Sequence, residues 1–403
     1  MKKTLVASAL AAVIFVPSVS AIEVYKDDKN SVEIGGFIDA RIMNSQGATE
    51  VVNGASRINF GFTRQMEDGW KSFAKLEWGV NPFGTSDIVY SNENNLESDS
   101  SEFLTNRLGY VGLAHDAYGS LTIGKQWGAW YDVVYNTNYG FVWDGNASGT
   151  YTYNKADGAV NGTGRGDNTV QYRNTFGDFS FAVQAQLKQD SFDLIGDNVV
   201  SPHGSVFGAT TVMPTTSTSI ATIEYNNTYG GSATYNVNDK LTLTAGFNVG
   251  EFDGTYVGGA SISETDSIYG FGAMWGNWDS EGVYAAFNVN KQEFHDTDNL
   301  GRMIQEAVGL ESLVSYRFDN NIRTFVSYNI LEAGDDYAAA HNGDVFKRQF
   351  AVAGVHYIMD SNTVIYIEGR KDFSDFTSTD RAQEAAMALS EDDGVAIGIR
   401  YYM

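Results

Sequence analysis

The stretch VAIGIRYYM, Val395 to Met403, sets Val395, Ile397, Ile399, Tyr401 and Met403 against Ala396, Gly398, Arg400 and Tyr402. A period of two is that of a strand with one apolar face. Whether that face meets a protein core or hydrocarbon separates a soluble sheet from a membrane barrel. The same alternation returns upstream. FSFAVQAQLKQ places Phe179, Phe181, Val183, Ala185 and Leu187 on one side and Ser180, Ala182, Gln184, Gln186 and Lys188 on the other. KLTLTAGFNVG places Leu241, Leu243, Ala245, Phe247 and Val249 against Thr242, Thr244, Gly246 and Asn248. The second face is polar and often small.

Turn-forming clusters punctuate these runs at Glu67 to Gly69, His115 to Gly119, Gly177-Asp178, Asn238-Asp239, Asn277 to Ser280, Asp319 to Asn321 and Asp360 to Asn362. Each sits where a tight hairpin turn belongs. Together with the chain ends they cut residues 22–403 into eight pieces, each long enough for two strands of about ten residues and a longer loop. Eight hairpins make sixteen strands. A two-sheet sandwich shows similar alternation, but at this length it needs several domains, and no Pro-rich, Gly/Ser-rich or low-complexity linker breaks the series. The expected fold is therefore all-β, a sixteen-stranded antiparallel transmembrane barrel. Such a ring pairs every backbone amide in hydrocarbon and leaves no edge, so the last strand must pair with the first, Ser31 to Ile42.

The N-terminal MKKTLVASALAAVIFVPSVSA has two lysines, an apolar stretch shorter than a membrane span, and Val19 and Ala21 at the spacing of a cleavage site. It reads as a secretory signal over residues 1–21, with the barrel over 22–403. The 403 residues include 43 glycines, 4 prolines and no cysteine, which excludes a disulfide-stapled module, thiol catalysis and Cys-based metal sites. No cofactor or resident metal is called for. The formal charge is −24, and removing Lys2 and Lys3 takes it to −26, which argues against nucleic acid as a partner.

The ending GIRYYM resembles the C-terminal assembly signal of Gram-negative general porins, with Gly398, Ile399 and Tyr401 at matching places and Met403 where that family has Phe. SVEIGGFIDAR, GSLTIGKQWGAWYDV (Gly119 to Val133) and TVQYRN (Thr169 to Asn174) are similar to the family's first strand and to the strands that enter and leave its third loop. The resemblance implies a homotrimer in outer-membrane lipid and lipopolysaccharide, inserted by the barrel-assembly machinery, with an inward-folded third loop that narrows the pore. It also implies a basic wall at Arg57, Arg107 and Arg165 and an interior glutamate at Glu77, which Asp144, the nearest acid on the third loop, and Asp39, on the lumen face expected of the first strand, join on the acidic side. Phe37 replaces a lysine common in the family, and Asn138 and Val142 stand where relatives carry constriction carboxylates. The third loop is aromatic instead, and Tyr139 and Trp143 are the rings expected to line the pore. Trp275, Trp278, Tyr401 and Tyr402 read as girdle aromatics.

Five scattered histidines, at 115, 203, 295, 341 and 356, and the absence of H-E-x-x-H or G-x-S-x-G argue against an enzyme. The function expected is passive diffusion of ions and small hydrophilic solutes, mildly cation-selective because of the negative charge, with an oligosaccharide-preferring, chitoporin-like channel as the alternative. Acids such as Glu93, Glu97, Asp99, Glu102 and Glu391 to Asp393 read as a solvated loop surface, with divalent bridging to lipopolysaccharide phosphate as a second reading. A barrel-shaped adhesin would need exposed apolar loop patches, which these polar loops lack.

Overall fold

The computed structural model describes residues 21–45, 48–82, 103–152, 158–187, 218–388 and 393–403, with the short stretches 88–89, 97–98 and 192–196. The leader read over residues 1–21 lies, except for Ala21, outside the described residues, as do Glu93, Asp99, Glu102, Lys188, His203, Glu391 and Asp392.

Sixteen wall strands follow one another: β1 (Asn30–Ser45), β2 (Arg57–Gln65, preceded on the same edge by Ala48–Asn53), β3 (Trp70–Val80), β4 (Leu104–His115), β5 (Gly119–Trp127), β6 (Arg165–Phe176), β7 (Phe179–Gln186, continued by Phe192–Gly196) and β8 (Thr218–Asn236). The second half runs through β9 (Leu241–Tyr256), β10 (Ser261–Trp275), β11 (Gly282–Glu293), β12 (Glu306–Arg317), β13 (Ile322–Ala333), β14 (Val345–Ile358), β15 (Thr363–Asp372) and β16 (Gly394–Tyr402). Each pairs antiparallel with the next. The ring closes where β1 pairs with β16, from Phe37 opposite Tyr402 to Ser45 opposite Gly394. A short strand, Ile22–Lys26, covers the rest of that edge of β1. No strand of the ring is left raw, which is what allows it to stand in hydrocarbon.

All seven turn clusters fall between consecutive strands. Asp68, Gly177 and Asn321 take left-handed backbone there, at φ 57°, 62° and 64°, the conformation that short turns ask of Gly, Asn and Asp. The expectation of a longer loop opposite each turn fails once. Between β9 and β10 only residues 257–260 intervene, and the length goes into the strands instead.

The faces are inverted relative to a soluble protein. On β16, Val395, Ile397, Ile399 and Tyr401 are 46%, 51%, 46% and 53% exposed, whereas Ala396 and Arg400 on the other face are 1% and 7% exposed. On β9, Leu243 and Phe247 point out while Thr242, Thr244 and Asn248 are buried inside. An apolar exterior around a polar interior is the arrangement lipid demands of a barrel. At the loop end of the long β8–β10 strands the pattern reverses: Glu251 and Asp253 face out, and Ile223, Tyr225 and Phe252 pack inside with Met303. There the wall has left the apolar band for water.

Candidate constriction site

Between β5 and β6, the described residues 128–152 and 158–164 are mostly buried and spend many of their polar groups on inward-facing side chains of the wall. One turn of helix, α1 (Tyr131–Val134), begins the segment and passes into a 3₁₀ turn over Tyr135–Thr137. Its buried face, Trp130, Val133 and Val134, packs with Ile268 of β10. Trp130 Nε1 donates to the Ser148 carbonyl at 2.8 Å, and Thr244 of β9 donates to the Val133 carbonyl at 3.0 Å.

Two wall carboxylates hold the rest. Glu311 on β12 accepts from the Ala147 and Ser148 amides at 3.0 and 2.9 Å and from the Thr137 hydroxyl at 2.7 Å. Glu368 on β15 accepts from the Phe141 and Val142 amides at 2.7 and 2.9 Å, and His356 Nε2 lies 2.8 Å from it. An irregular segment has backbone N–H groups with no ladder to join, and a buried carboxylate satisfies two at once by charge-assisted bonds. A Cβ at Gly145 would overlap the Glu311 carboxylate, so glycine is what permits that approach.

Among the residues named from the sequence, Arg57, Glu77 and Arg107 come together on adjacent strands. Arg107 Nε lies 3.0 Å from Glu77 Oε1, and both side chains are nearly buried. The register steps from Glu77 opposite Leu108 to Trp78 opposite Asn106, leaving Arg107 as the extra residue of a β-bulge. A bulge re-aims a side chain, here toward the glutamate. Arg57 stands across from Phe37, its guanidinium 4.6 Å from the ring centroid, and Arg400 lies 4.1 Å from the same ring. The missing basic rung at Phe37 is thus a platform between two arginines. Arg165 is buried on β6 with its guanidinium 5.4 Å from the Trp127 ring. Asp144 is buried within the loop and accepts from the Gly145 amide at 2.9 Å.

Asp39 is buried among Arg41 at 3.1 Å, Arg400 at 2.7 Å and the Tyr366 hydroxyl at 2.6 Å. Trp143 is buried against Gly394 of β16, and Tyr139 stacks on Trp278 at 4.6 Å with planes 9° apart. Trp278, expected in a girdle, instead turns inward from the β10–β11 turn and is buried, because Arg323 at 4.2 Å and Tyr139 cover its two faces. Trp275 and Tyr401 do point outward. Gly398 sits beneath the Tyr366 ring, where a Cβ would meet its hydroxyl. The Met403 amide donates to the Gly36 carbonyl at 3.0 Å.

Sequence reasoning missed several charged residues of this interior. Arg173 on β6 pairs with Asp132 of α1 at 2.6 Å, and Ser232 donates to the same Asp132 oxygen at 2.7 Å. Arg323, Arg348, Arg370 and Arg400, with Glu311 and Glu368, are all buried on strands. Parity was the available signal: Glu368 and Arg370 share a face with Val364 and Tyr366, opposite the exposed Ile365 and Ile367.

The model of the Gram-negative porin family matches residues 7–401. The chain belongs to that family. The porin is 26% identical over 415 residues to the outer membrane porin protein LC of Enterobacteria phage PA-2, covering all of both chains. Its fold matches that of Salmonella typhi OmpF, solved in complex with daunomycin, with TM-score 0.64 and 19% identity, over 95% of this porin and all of that chain. It also matches a trimer form of OmpT from Vibrio cholerae, with TM-score 0.58 and 15% identity over 93% of this porin and all of that chain. At these identities the solved structures speak for the fold.

Proposed function

We propose that the chain is an outer-membrane diffusion porin, a water-filled channel through which ions and small hydrophilic solutes pass down their gradients. The inverted alternation carries this reading: a closed ring with apolar residues outside and Asn, Gln, Thr, Asp, Glu and Arg inside is built to hold water in lipid. In this reading the third loop, tied through Ala129, Val133, Asn136, Phe141 and Ala147 to β7, β9, β11, β12 and β15, lies across the lumen and sets its neck. Arg57, Arg107 and Arg165 are the basic side of that neck, with Glu77 set among them against Arg107, and Asp144 on the loop is the acidic side.

Mild cation selectivity follows from charge pairing. Arg107 is neutralised by Glu77, Arg41 and Arg400 share Asp39, and Arg173 faces Asp132. With the interior largely balanced, the chain's net negative charge concentrates cations at the mouths. The mature chain begins after Ala21, and three copies associate, as in the trimer form of the Vibrio cholerae neighbour. Reconstitution into planar bilayers tests this reading. Stepwise ohmic conductance and a reversal potential of cation sign in a KCl gradient are expected; purified, folded protein that leaves bilayers silent overturns it.

A further inference from the structure

Resting on the aqueous-channel reading above, we propose that Lys75 on β3 and Tyr110 on β4 form a binding site in the channel wall for the carboxylate group of small organic anions. The two residues stand directly opposite each other across the β3–β4 ladder. Both face the lumen: Lys75 shares its side of β3 with Glu77, and Tyr110 lies on the other side of β4 from Val111 and Leu113, which point outward at 57% and 45% exposed. Side chains opposed in this way on adjacent strands are close enough to serve one ligand.

Neither donor is used up by the fold. Arg107, Arg173, Arg323 and Arg400 each hold a carboxylate. Lys75 departs from that pattern. Among the described residues it makes no ion pair, and one hydrogen bond, to the Asn59 side-chain oxygen at 2.6 Å, leaves the rest of its ammonium uncommitted. The two acids whose charge reaches it are placed elsewhere: Glu77 is engaged by Arg107, and Glu33 stands two strands away, beyond Gly61. The Tyr110 hydroxyl makes no hydrogen bond among the described residues, and only its ring packs, edge to face with Phe73 at 6.4 Å. Both residues are half-buried, so the donors are partly desolvated and still open to the lumen.

The same row of the wall has room for a ligand. Gly61 lies opposite Lys75 on β2 and Gly124 lies opposite Tyr110 on β5, so neither flank of the pair carries a side chain. Glycine inside a strand is found where a ligand comes close to the backbone. A carboxylate seated there accepts a charge-assisted bond from Lys75 through one oxygen and a bond from the Tyr110 hydroxyl through the other. Chloride feels the same ammonium but has a single centre to share between two donors, so the pair discriminates by shape as well as by charge.

Reversal potentials of the reconstituted channel with potassium acetate on one side and KCl at equal concentration on the other give the permeability ratio of acetate to chloride, while conductance in KCl alone tests the pore separately. In the parent, a ratio above that of the two ions' free-solution mobilities is expected. Tyr110→Phe removes a hydroxyl and no charge. It is expected to lower the acetate-to-chloride ratio about threefold, the share of one exposed hydrogen bond, with potassium-to-chloride selectivity as in the parent. Lys75→Gln should lower the ratio further and also move potassium-to-chloride selectivity toward cations, and Lys75→Arg, which keeps the charge and the donors, should stay near the parent on both. A conducting parent channel whose ratio equals that of the mobilities, or a Tyr110→Phe channel with the parent's ratio, overturns the site and leaves the diffusion pore standing.

Discussion

The Asp39 carboxylate on β1 stands directly across the closing seam from Arg400 on β16, 2.7 Å from its Nε, and receives Arg41 and the Tyr366 hydroxyl on its other oxygen. One buried anion is thus shared by two buried cations where the ends of the chain meet. Removing it strands both. Asp39→Ala is expected to destabilise the barrel by about 3–5 kcal/mol, and Arg400→Ala by less, because Asp39 keeps Arg41. Urea unfolding in detergent measures the order, and equal losses would contradict the shared-anion geometry.

Glu311 and Glu368 hold the loop by its backbone. Glu311→Ala leaves the Ala147 and Ser148 amides without that acceptor, at a cost of about 1–3 kcal/mol for each group left unsatisfied. The loop then samples other positions. Single-channel traces of Glu311→Ala and Glu368→Ala are expected to show larger mean conductance and added open-channel noise; currents identical to the parent would remove the clamp role.

Gly398, which resembles part of an assembly signal, has a packing reason of its own. A methyl there displaces the Tyr366 hydroxyl and with it a bond to Asp39. Gly398→Ala is expected to lower stability by about 1–3 kcal/mol, the range for overpacking. Pairing it with Tyr366→Ala should recover part of the loss. Refolding into detergent without any assembly machinery is the right assay, since a defect confined to cells would place the role of Gly398 in recognition alone.

His295, in the loop after β11, has both ring nitrogens facing acceptors, the Asp266 carboxylate and the Gly149 carbonyl at 2.7 Å. Burial alone would lower its pKa, but Asp266 with the Gly149 carbonyl outweighs that and holds it above 6.5. A raised folded-state value means that the stabilisation is fully present below pH 6.5 and is lost as pH rises through the folded value. Asp266 also binds Tyr225 and Asn161, so the contact links β8, β10 and both loops. Thermal midpoints should fall as pH rises from 6.5 through the raised folded value in the parent, and His295→Gln should flatten that dependence; parallel curves would remove His295 as the titrating group.

Asp132 and Arg173 face each other at the neck. Asp132→Asn frees the arginine charge, so the reversal potential in a salt gradient is expected to move toward anions, and Arg173→Gln should move it the other way. Screening in 1 M salt shortens the Debye length to about 3 Å and should reduce both shifts. A reversal potential indifferent to both variants would place the pair outside the ion path.

The strand alternation, all seven turns and the apolar exterior were legible because they are local: alternation needs only neighbours two apart, and a turn only three or four residues. Arg57, Glu77 and Arg107 were named through resemblance to a family, and the fold brings them onto adjacent strands. The holding of the third loop by Glu311 and Glu368, the sharing of Asp39 by Arg41 and Arg400, and the inward turn of Trp278 were not.

Each of those joins residues far apart in the chain. The partner of a polar side chain in the lumen depends on which strands the closed ring brings opposite one another. By itself the sequence determined a barrel, its strand count and which face meets lipid. Only the tertiary structure decided which interior charges cancel, because the Coulomb energy of a pair depends on a distance that a one-dimensional pattern does not contain.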